Sequence, residues 1–378
     1  MHLLHPYFLV AIVVMFVFSF QEVYSGRVNK KYFWYLGVYL MILAGFRDQV
    51  GADFGSYLGI YYWTSSKEYW SIFLKALTLE PPTPIELEWG YVFINKLVLE
   101  FNAPFYVLTT VVAILAISFK NKFILENTMY PFSFLLISFI PGFFVGESGQ
   151  IRQNLGSFIA YFAIRYIKER NLLMYLLFIH LAGGVHSVCY VLLPMYWLAR
   201  VPLNKLFMML AIIGSIIASP FEVYRFFGSW LDSLMSDSTI VVGFNGYMSE
   251  TIERQRGGFG YPELMMLIVT VFLFAFDTLM KKKYPYYEYH RWYALIAICS
   301  YFIFRNNPIF SSRLAGVFVG VSYLIIPNAM YVVNAGTKRI IHFFIICLAI
   351  FNFLVFSSFN NISKGKFTIE KYRNWILP

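Results

Sequence analysis

Long apolar runs separated by short polar breaks dominate the chain. They cover residues 7–24, 32–46, 103–119, 129–145, 151–166, 172–185, 187–199, 206–219, 263–280, 291–304, 313–333 and 339–356. A helix needs about 20 apolar residues to cross a bilayer, and these runs approach or reach that length. In hydrocarbon a spanning segment must satisfy its own backbone hydrogen bonds, which the helix does. The pattern therefore predicts an all-α, polytopic integral membrane protein with about twelve transmembrane helices.

The breaks carry the orientation. Basic residues recur at Arg27, Lys30 and Lys31; Lys120 and Lys122; Arg165, Lys168 and Arg170; Arg200 and Lys205; Lys281, Lys282 and Lys283; and Lys338 and Arg339. The positive-inside rule makes these loops cytoplasmic. Both termini then fall on the outer side, although the basic tail (Lys364, Lys366, Lys371 and Arg373) runs against that rule. Two outer connections are long, at about 47–102 and 220–262. The first contains the Pro-rich "LEPPTPIELEW" and the second "RQRGGFGYP". Both keep Trp, Tyr and Phe, so they read as ordered elements covering a site rather than as linkers. No soluble domain and no internal repeat interrupts the pattern, and residues 1–378 read as a single transmembrane domain.

One stretch breaks the rhythm. Residues 172–199, "LLMYLLFIHLAGGVHSVCYVLLPMYWLA", have basic residues at both flanks. If both flanks are cytoplasmic, this is a hairpin of two short helices. Each arm of about 14 residues rises about 20 Å, against a hydrocarbon core of about 30 Å. The vertex "GGVHS" then sits below the outer surface, with His186 facing a recessed pocket. A single long span would instead export Lys281, Lys282 and Lys283.

Composition agrees with the pattern. Hydrophobic residues make up 59% and charged residues 13%, with mean hydropathy +0.62, a balance a water-exposed surface cannot accommodate. Aromatics reach 21%, as interfacial belts require. The N-terminus "MHLLHPYF" lacks the basic segment of a cleavable signal peptide. Cys189, Cys299 and Cys347 lie inside apolar runs and suggest neither disulfides nor a metal site. The net charge of +10 sits in loops, and without a soluble basic domain nucleic acid is not an expected partner.

Candidate chemistry gathers at the outer ends of the runs. "GESGQIRQN" (Gly146–Asn154) places a carboxylate, an arginine and two amides between apolar stretches. Arg47, Arg152, Arg254, Arg256, Arg305 and Arg313 all fall at or just inside the predicted outer boundary. A single arginine there is commonly a snorkelling anchor. Six point to phosphate, because guanidinium forks bind phosphate oxygens bidentately and stay charged when buried. With no cluster of metal ligands, arginines would neutralise a pyrophosphate unaided.

"FRDQVGADFGSY", "LEWGYVFIN", "IRQNLGSFIAYFAI", "HSVCYVLLP" and "SSRLAGVFV" resemble, in order and spacing, the EpsG-like branch of bacterial Wzy-type O-antigen and exopolysaccharide repeat-unit polymerases. The likeness runs from about residue 30 to 335. It implies a fold similar to the GT-C-like membrane glycosyltransferases and an active site at the periplasmic face of the inner membrane. It implies transfer of a growing glycan from undecaprenyl pyrophosphate to the non-reducing end of the next lipid-linked repeat unit. Neither metal nor another cofactor is implied, and a chain-length regulator of the Wzz type is the implied partner.

On this reading Arg152, Arg313, and Arg254 or Arg256 clamp the pyrophosphate, with Arg47 and Arg305 as further candidates. Asp53, Glu88, Glu147 and His186 are candidates for the base that takes the acceptor proton. Asp53 is equally a turn or N-cap residue, and Glu88 is equally a helix-start carboxylate. Glu147 either orients Arg152 or takes a proton. Gln153 and Asn154 face polar ligand or backbone. Tyr57, Trp89, Tyr91 and Tyr261 stack on sugar rings or anchor at the interface. A polysaccharide flippase, an O-antigen ligase and a membrane acyltransferase are the alternative readings.

Overall fold

The computed structural model describes residues 4–78, 87–222, 259–358, 367 and 371–377, and among these it is all-helical. Among the described residues four helices are long and apolar enough to cross a membrane: Pro6–Tyr24, Phe105–Asn127, Tyr261–Lys283 and Ala335–Phe356. The chain divides into two compact units, one formed by Met1–Leu193 with Ile326–Pro378 and the other by Pro194–Ile325.

The first unit contains α1 (Pro6–Tyr24), α2 (Lys30–Gly45), α3 (Phe54–Thr64), α4 (Tyr69–Leu77), α5 (Trp89–Glu100), α6 (Phe105–Asn127), α7 (Pro131–Pro141), α8 (Ile151–Phe162), α9 (Ile164–Lys168) and α10 (Leu172–Val185). Helix α6 packs against α2 and α8, and α8 packs against α10. Helix α7 packs against α1 and against the C-terminal helix Ala335–Ser358. Several buried polar groups of this apolar body are matched internally, as a setting without water favours. The buried Glu22 carboxylate of α1 accepts from Phe132 N (3.0 Å) and Ser133 N (2.6 Å) at the start of α7. It thus satisfies backbone donors that the first turn of a helix leaves open. Asn328 donates to Asn127 O, and Asn352 donates to Ile137 O.

The two ends of α6 define the two ends of this unit. Its last turn meets the basic end of α9: Glu126 lies 3.3 Å from Arg165, and Lys168 donates to Asn127 Oδ1. At the far end, about 34 Å away along the helix, the turn after α2 pairs with the end of the chain. Asp48 N donates to Arg373 O (2.9 Å) and Trp375 N to Phe46 O (2.8 Å), around an antiparallel bridge between Arg47 and Asn374. His5 N donates to Phe367 O, and the rings of Phe8, Phe144, Phe367 and Tyr372 pack together. His5, Phe8 and residues 372–375 therefore all lie at the Arg47 end.

The chain doubles back after α10. His186 is extended (φ −153°, ψ 116°), and a 3₁₀ segment, Ser187–Leu192, returns along α10. Tyr175 donates to Leu192 O, and the Tyr190 hydroxyl lies 2.9 Å from His180 Nδ1. A continuous helix would hold residues 180 and 190 about 15 Å apart. The hairpin read from the charge pattern is therefore present with His186 at its vertex, but its second arm begins as a 3₁₀ segment and becomes α-helical only at Met195–Leu198.

The second unit contains α11 (Met195–Leu198), α12 (Lys205–Ala218), α13 (Tyr261–Lys283), α14 (Tyr287–Ile303), α15 (Pro308–Arg313) and α16 (Gly316–Ser322). Helix α14 packs against α12, α13 and α16. At one end of the α13/α14 pair Arg291 is buried between Asp277 (2.9 Å) and Glu288 (2.7 Å). At the other, the Glu263 Oε1 atom accepts from Tyr301 (2.7 Å) and Arg305 (2.9 Å).

Several boundaries differ from the apolar pattern. The run 103–119 continues as helix to Asn127, so Lys120 lies inside a buried helix rather than in a loop. The run 291–304 starts at Tyr287, and Arg291 is likewise interior. The run 313–333 is divided among α15, α16 and α17 (Ile325–Val332), with α18 (Ala335–Ser358) following. Arg254, Arg256, the Pro-rich segment and most of the 220–262 connection lie outside the described residues.

Candidate functional site

The site of the first unit is built at the hairpin vertex. Glu88 is the N-cap of α5, yet its side chain makes no capping bond. It reaches sideways instead. Its Oε2 atom lies 2.8 Å from Arg152 Nη1, and its Oε1 accepts from the Ser187 amide (3.2 Å) and hydroxyl (3.3 Å). Close backbone packing brings these elements together: a Cβ on Gly90 would come within 2.8 Å of Gly184 O, so glycine lets α5 abut the end of α10.

Arg152 sits in the first turn of α8. Its guanidinium lies 5.8 Å from the Tyr57 ring and 5.7 Å from the Tyr91 ring, two buried tyrosines whose centroids are 6.0 Å apart. These contacts are within cation–π range. The Arg152 Nε donor is buried, and the guanidinium also interacts with the Tyr57 hydroxyl. Arg152 and Glu88 keep 22% and 16% of their side-chain surface exposed, so the pair is reachable from outside. Burial alone would raise the Glu88 pKa, but His186 and Arg152 together outweigh it and hold the carboxyl below its ordinary value.

Arg47 lies behind the tyrosines, fully buried. Its Nε donates to Val50 O (3.1 Å) and its Nη1 to Ala44 O. It therefore ties the end of α2 to the turn that follows. Burial pushes its pKa down to about 10, against the opposing influence of Tyr91, Tyr57 and Tyr372. That turn needs Gly51, whose φ is +104° and whose missing Cβ would overlap the Ser148 carbonyl oxygen. Asp53 is the N-cap of α3 without a side-chain capping bond, and it is half-buried.

Glu147 does not meet Arg152. It ends a π-helical segment, Gly142–Glu147, that follows Pro141, and its Oε1 lies 2.5 Å from Lys120 Nζ. Both side chains are almost fully buried, at 1% and 3% exposure. Lys120 is thus a residue that the sequence did not single out. The signal was its position within the 23-residue helix α6, obscured because a lysine between apolar runs reads as a loop charge. Ser187 was missed as well, since nothing local marks a serine as the partner of a carboxylate 99 positions away. Gln153 is buried, while Asn154 is half-buried beside Gly146, with Oδ1 close to where a Cβ would be.

Among the predicted residues, the first unit brings together Arg47, Tyr57, Glu88, Tyr91, Arg152 and His186, with Asp53 nearby on the opening of α3. Glu147 is turned into the protein on its own ion pair. Tyr261, Arg305 and Arg313 belong to the second unit. Tyr261 starts α13 and Arg305 pairs with Glu263, a carboxylate that also accepts from Gly260 N (2.9 Å). Arg313 ends α15 and is half-buried.

Comparison with curated proteins and comparison with solved structures return no match. The model of the EpsG family matches residues 30–374, a range that spans every element of the Arg152 cluster, and the chain belongs to that family.

Proposed function

We propose that the protein is a membrane glycosyltransferase that polymerises lipid-linked oligosaccharide repeat units. The donor is a glycan on undecaprenyl pyrophosphate, and the acceptor is a sugar hydroxyl at the non-reducing end of the next lipid-linked unit. The observation that carries the reading is Arg152. It is a reachable guanidinium set between two tyrosines and beside a carboxylate, next to the vertex of the hairpin.

The roles follow from the geometry. The pyrophosphate competes with Glu88 for Arg152, which offers a bidentate fork to its oxygens. Released from Arg152, Glu88 regains basicity and stays oriented by Ser187. The acceptor oxygen attacks the anomeric carbon, and the bond from that carbon to the pyrophosphate oxygen breaks. The electron pair leaves with the lipid pyrophosphate, whose charge Arg152 meets, and the acceptor proton passes to Glu88. His186, next to Ser187, supports the same carboxylate electrostatically. Arg47 acts by holding the turn, because its donors already serve backbone carbonyls. The family's membrane setting and the outer placement of this cluster by the charge rule support a site facing the periplasm.

The test is reconstitution with purified lipid-linked repeat units. A ladder of lengthening glycans supports the polymerase. Transfer of a single unit onto lipid A or protein would indicate a ligase. Translocation of intact units without chain growth would indicate a flippase. Either outcome would overturn the proposal.

A further inference from the structure

The C-terminal segment, which the mechanism above leaves unused, lines a cavity at the Arg47 end of the first unit. The cavity measures ≈ 360 Å³ and is lined by Asp48, Tyr372, Arg373, Asn374, Trp375 and Leu377. It falls near the lower end of the range of about 300–1,000 Å³ typical of small-ligand sites. Its walls are fixed. Besides the backbone pairing of residues 46–48 with 373–375, Tyr372 donates to Leu43 O (3.0 Å), Asn374 Nδ2 donates to Ile42 O (3.2 Å), and Asn374 Oδ1 accepts from Ile376 N and Leu377 N.

These tethers occupy Tyr372 and Asn374 and leave three side chains uncommitted. Trp375 rests against Tyr106 (centroids 5.5 Å apart) and remains 59% exposed. Asp48 and Arg373 are joined through their backbones (2.9 Å), yet among the described residues neither side chain forms an ion pair. A carboxylate offers only acceptors and a guanidinium only donors. A ligand that suits both must donate and accept, and one that also suits an indole face must present an apolar side. A sugar ring has hydroxyls at its edge and C–H groups on its face. An anionic lipid headgroup suits Arg373 but is repelled by Asp48.

We propose that this cavity is a carbohydrate-binding subsite that holds the glycan chain while the Arg152 cluster acts on the pyrophosphate end. Trp375 stacks on a ring, Asp48 accepts from hydroxyls and Arg373 donates to them. The identity of the glycan as the protein's own product rests on the polymerase reading.

The experiment uses the full chain in lipid nanodiscs and, as probe, short carrier-free oligosaccharides released from the producing cell's own surface polysaccharide. Binding is measured by calorimetry, with melting temperature recorded beside it. Trp375→Ala is expected to weaken binding about tenfold, the size of a lost aromatic stacking contact together with its apolar area. Asp48→Asn weakens it several-fold, and Trp375→Phe retains most of the affinity, all at unchanged melting temperature. In reconstitution, Trp375→Ala shifts the glycan ladder to shorter chains. No binding by the unaltered protein, or equal affinity in Trp375→Ala and Asp48→Asn, would overturn the subsite. Loss of stability in Trp375→Ala with affinity intact would make Trp375 an interfacial lipid anchor and overturn it too. Trp375-dependent binding by a protein that makes no polymer would sink the polymerase reading and leave the subsite. Polymer formation with Trp375-independent binding would do the reverse.

Discussion

Replacing Arg152 by lysine separates a phosphate clamp from a membrane anchor. In the free protein Arg152 makes one charge-assisted bond to Glu88, 2.8 Å long, and lies over two tyrosine rings. A hydrogen bond to a charged group contributes about 1.5–3 kcal/mol. Lysine keeps the charge and much of that bond, so the stability change for Arg152→Lys should stay below about 1 kcal/mol. The fork is what lysine lacks. Loss of one preorganised donor to a developing charge costs about 10²–10³ in rate, or roughly 2.7–4 kcal/mol. Arg152→Lys should therefore lose at least that factor in polymerisation of purified lipid-linked units while melting near the unaltered protein. Arg152→Ala should lose as much rate and, in addition, roughly 1–3 kcal/mol of stability. Glu88→Gln completes the comparison. It frees Arg152 for the pyrophosphate, so KM should hold or fall, while kcat drops by about 10²–10⁴ with the base gone. A lysine variant with near-normal ladders at unchanged stability would refute the clamp, because an anchoring lysine snorkels as well as arginine.

Three further expectations are open to direct measurement. Glu88 is held below its ordinary value in the free protein, so it stays ionised, and its pairing intact, until pH falls through that depressed value. The acid limb of kcat/KM should accordingly lie below the ordinary 4.5, whereas that of kcat, measured with Arg152 drawn to pyrophosphate, should lie higher; coincident limbs would remove the pair from the mechanism. Lys120→Met strands the Glu147 carboxylate in the interior and should cost about 3–5 kcal/mol. Adding Glu147→Gln should restore most of that loss, and chain growth by the double variant would show that Glu147 is not the base. Cysteines placed at His180 and Tyr190 should be joined by a short bifunctional thiol reagent, which a single continuous span would prevent by its length.

The helical architecture was legible because the solvent dictates it. Once 59% of the chain is hydrophobic and the runs approach membrane length, the backbone has few other ways to satisfy itself. The hairpin was legible for a related reason: basic flanks on both sides of residues 172–199 left no other way to keep Lys281, Lys282 and Lys283 inside. Element boundaries were less so. Charge was taken as the mark of a loop at Lys120, but Lys120 is interior and neutralised by Glu147, and Arg291 at the start of its apolar run is likewise neutralised by Asp277. A sequence shows where charges are and does not show which of them cancel. The first part of the second hairpin arm, Ser187–Leu192, differed for a local reason, since apolar character does not distinguish a 3₁₀ segment from an α-helix of the same length.

The partner of Arg152 illustrates the same limit and gives the site its logic. Glu147, five positions away, was the local candidate, whereas the structure selects Glu88 from the start of α5 and gives Glu147 to Lys120. An arginine kept ready for pyrophosphate in a half-buried site carries a desolvation cost whenever the site is empty. A carboxylate beside it offsets that cost, and the Ser187 amide and hydroxyl hold the carboxylate in place. On the proposed mechanism pyrophosphate replaces one anion with another around the same guanidinium, so the positive charge is not left bare. The displaced carboxylate meanwhile rises in pKa within reach of the acceptor. On that mechanism one ion pair accounts for an acidic residue beside a phosphate clamp, with clamp and base on α8 and α5 brought together beside the hairpin vertex.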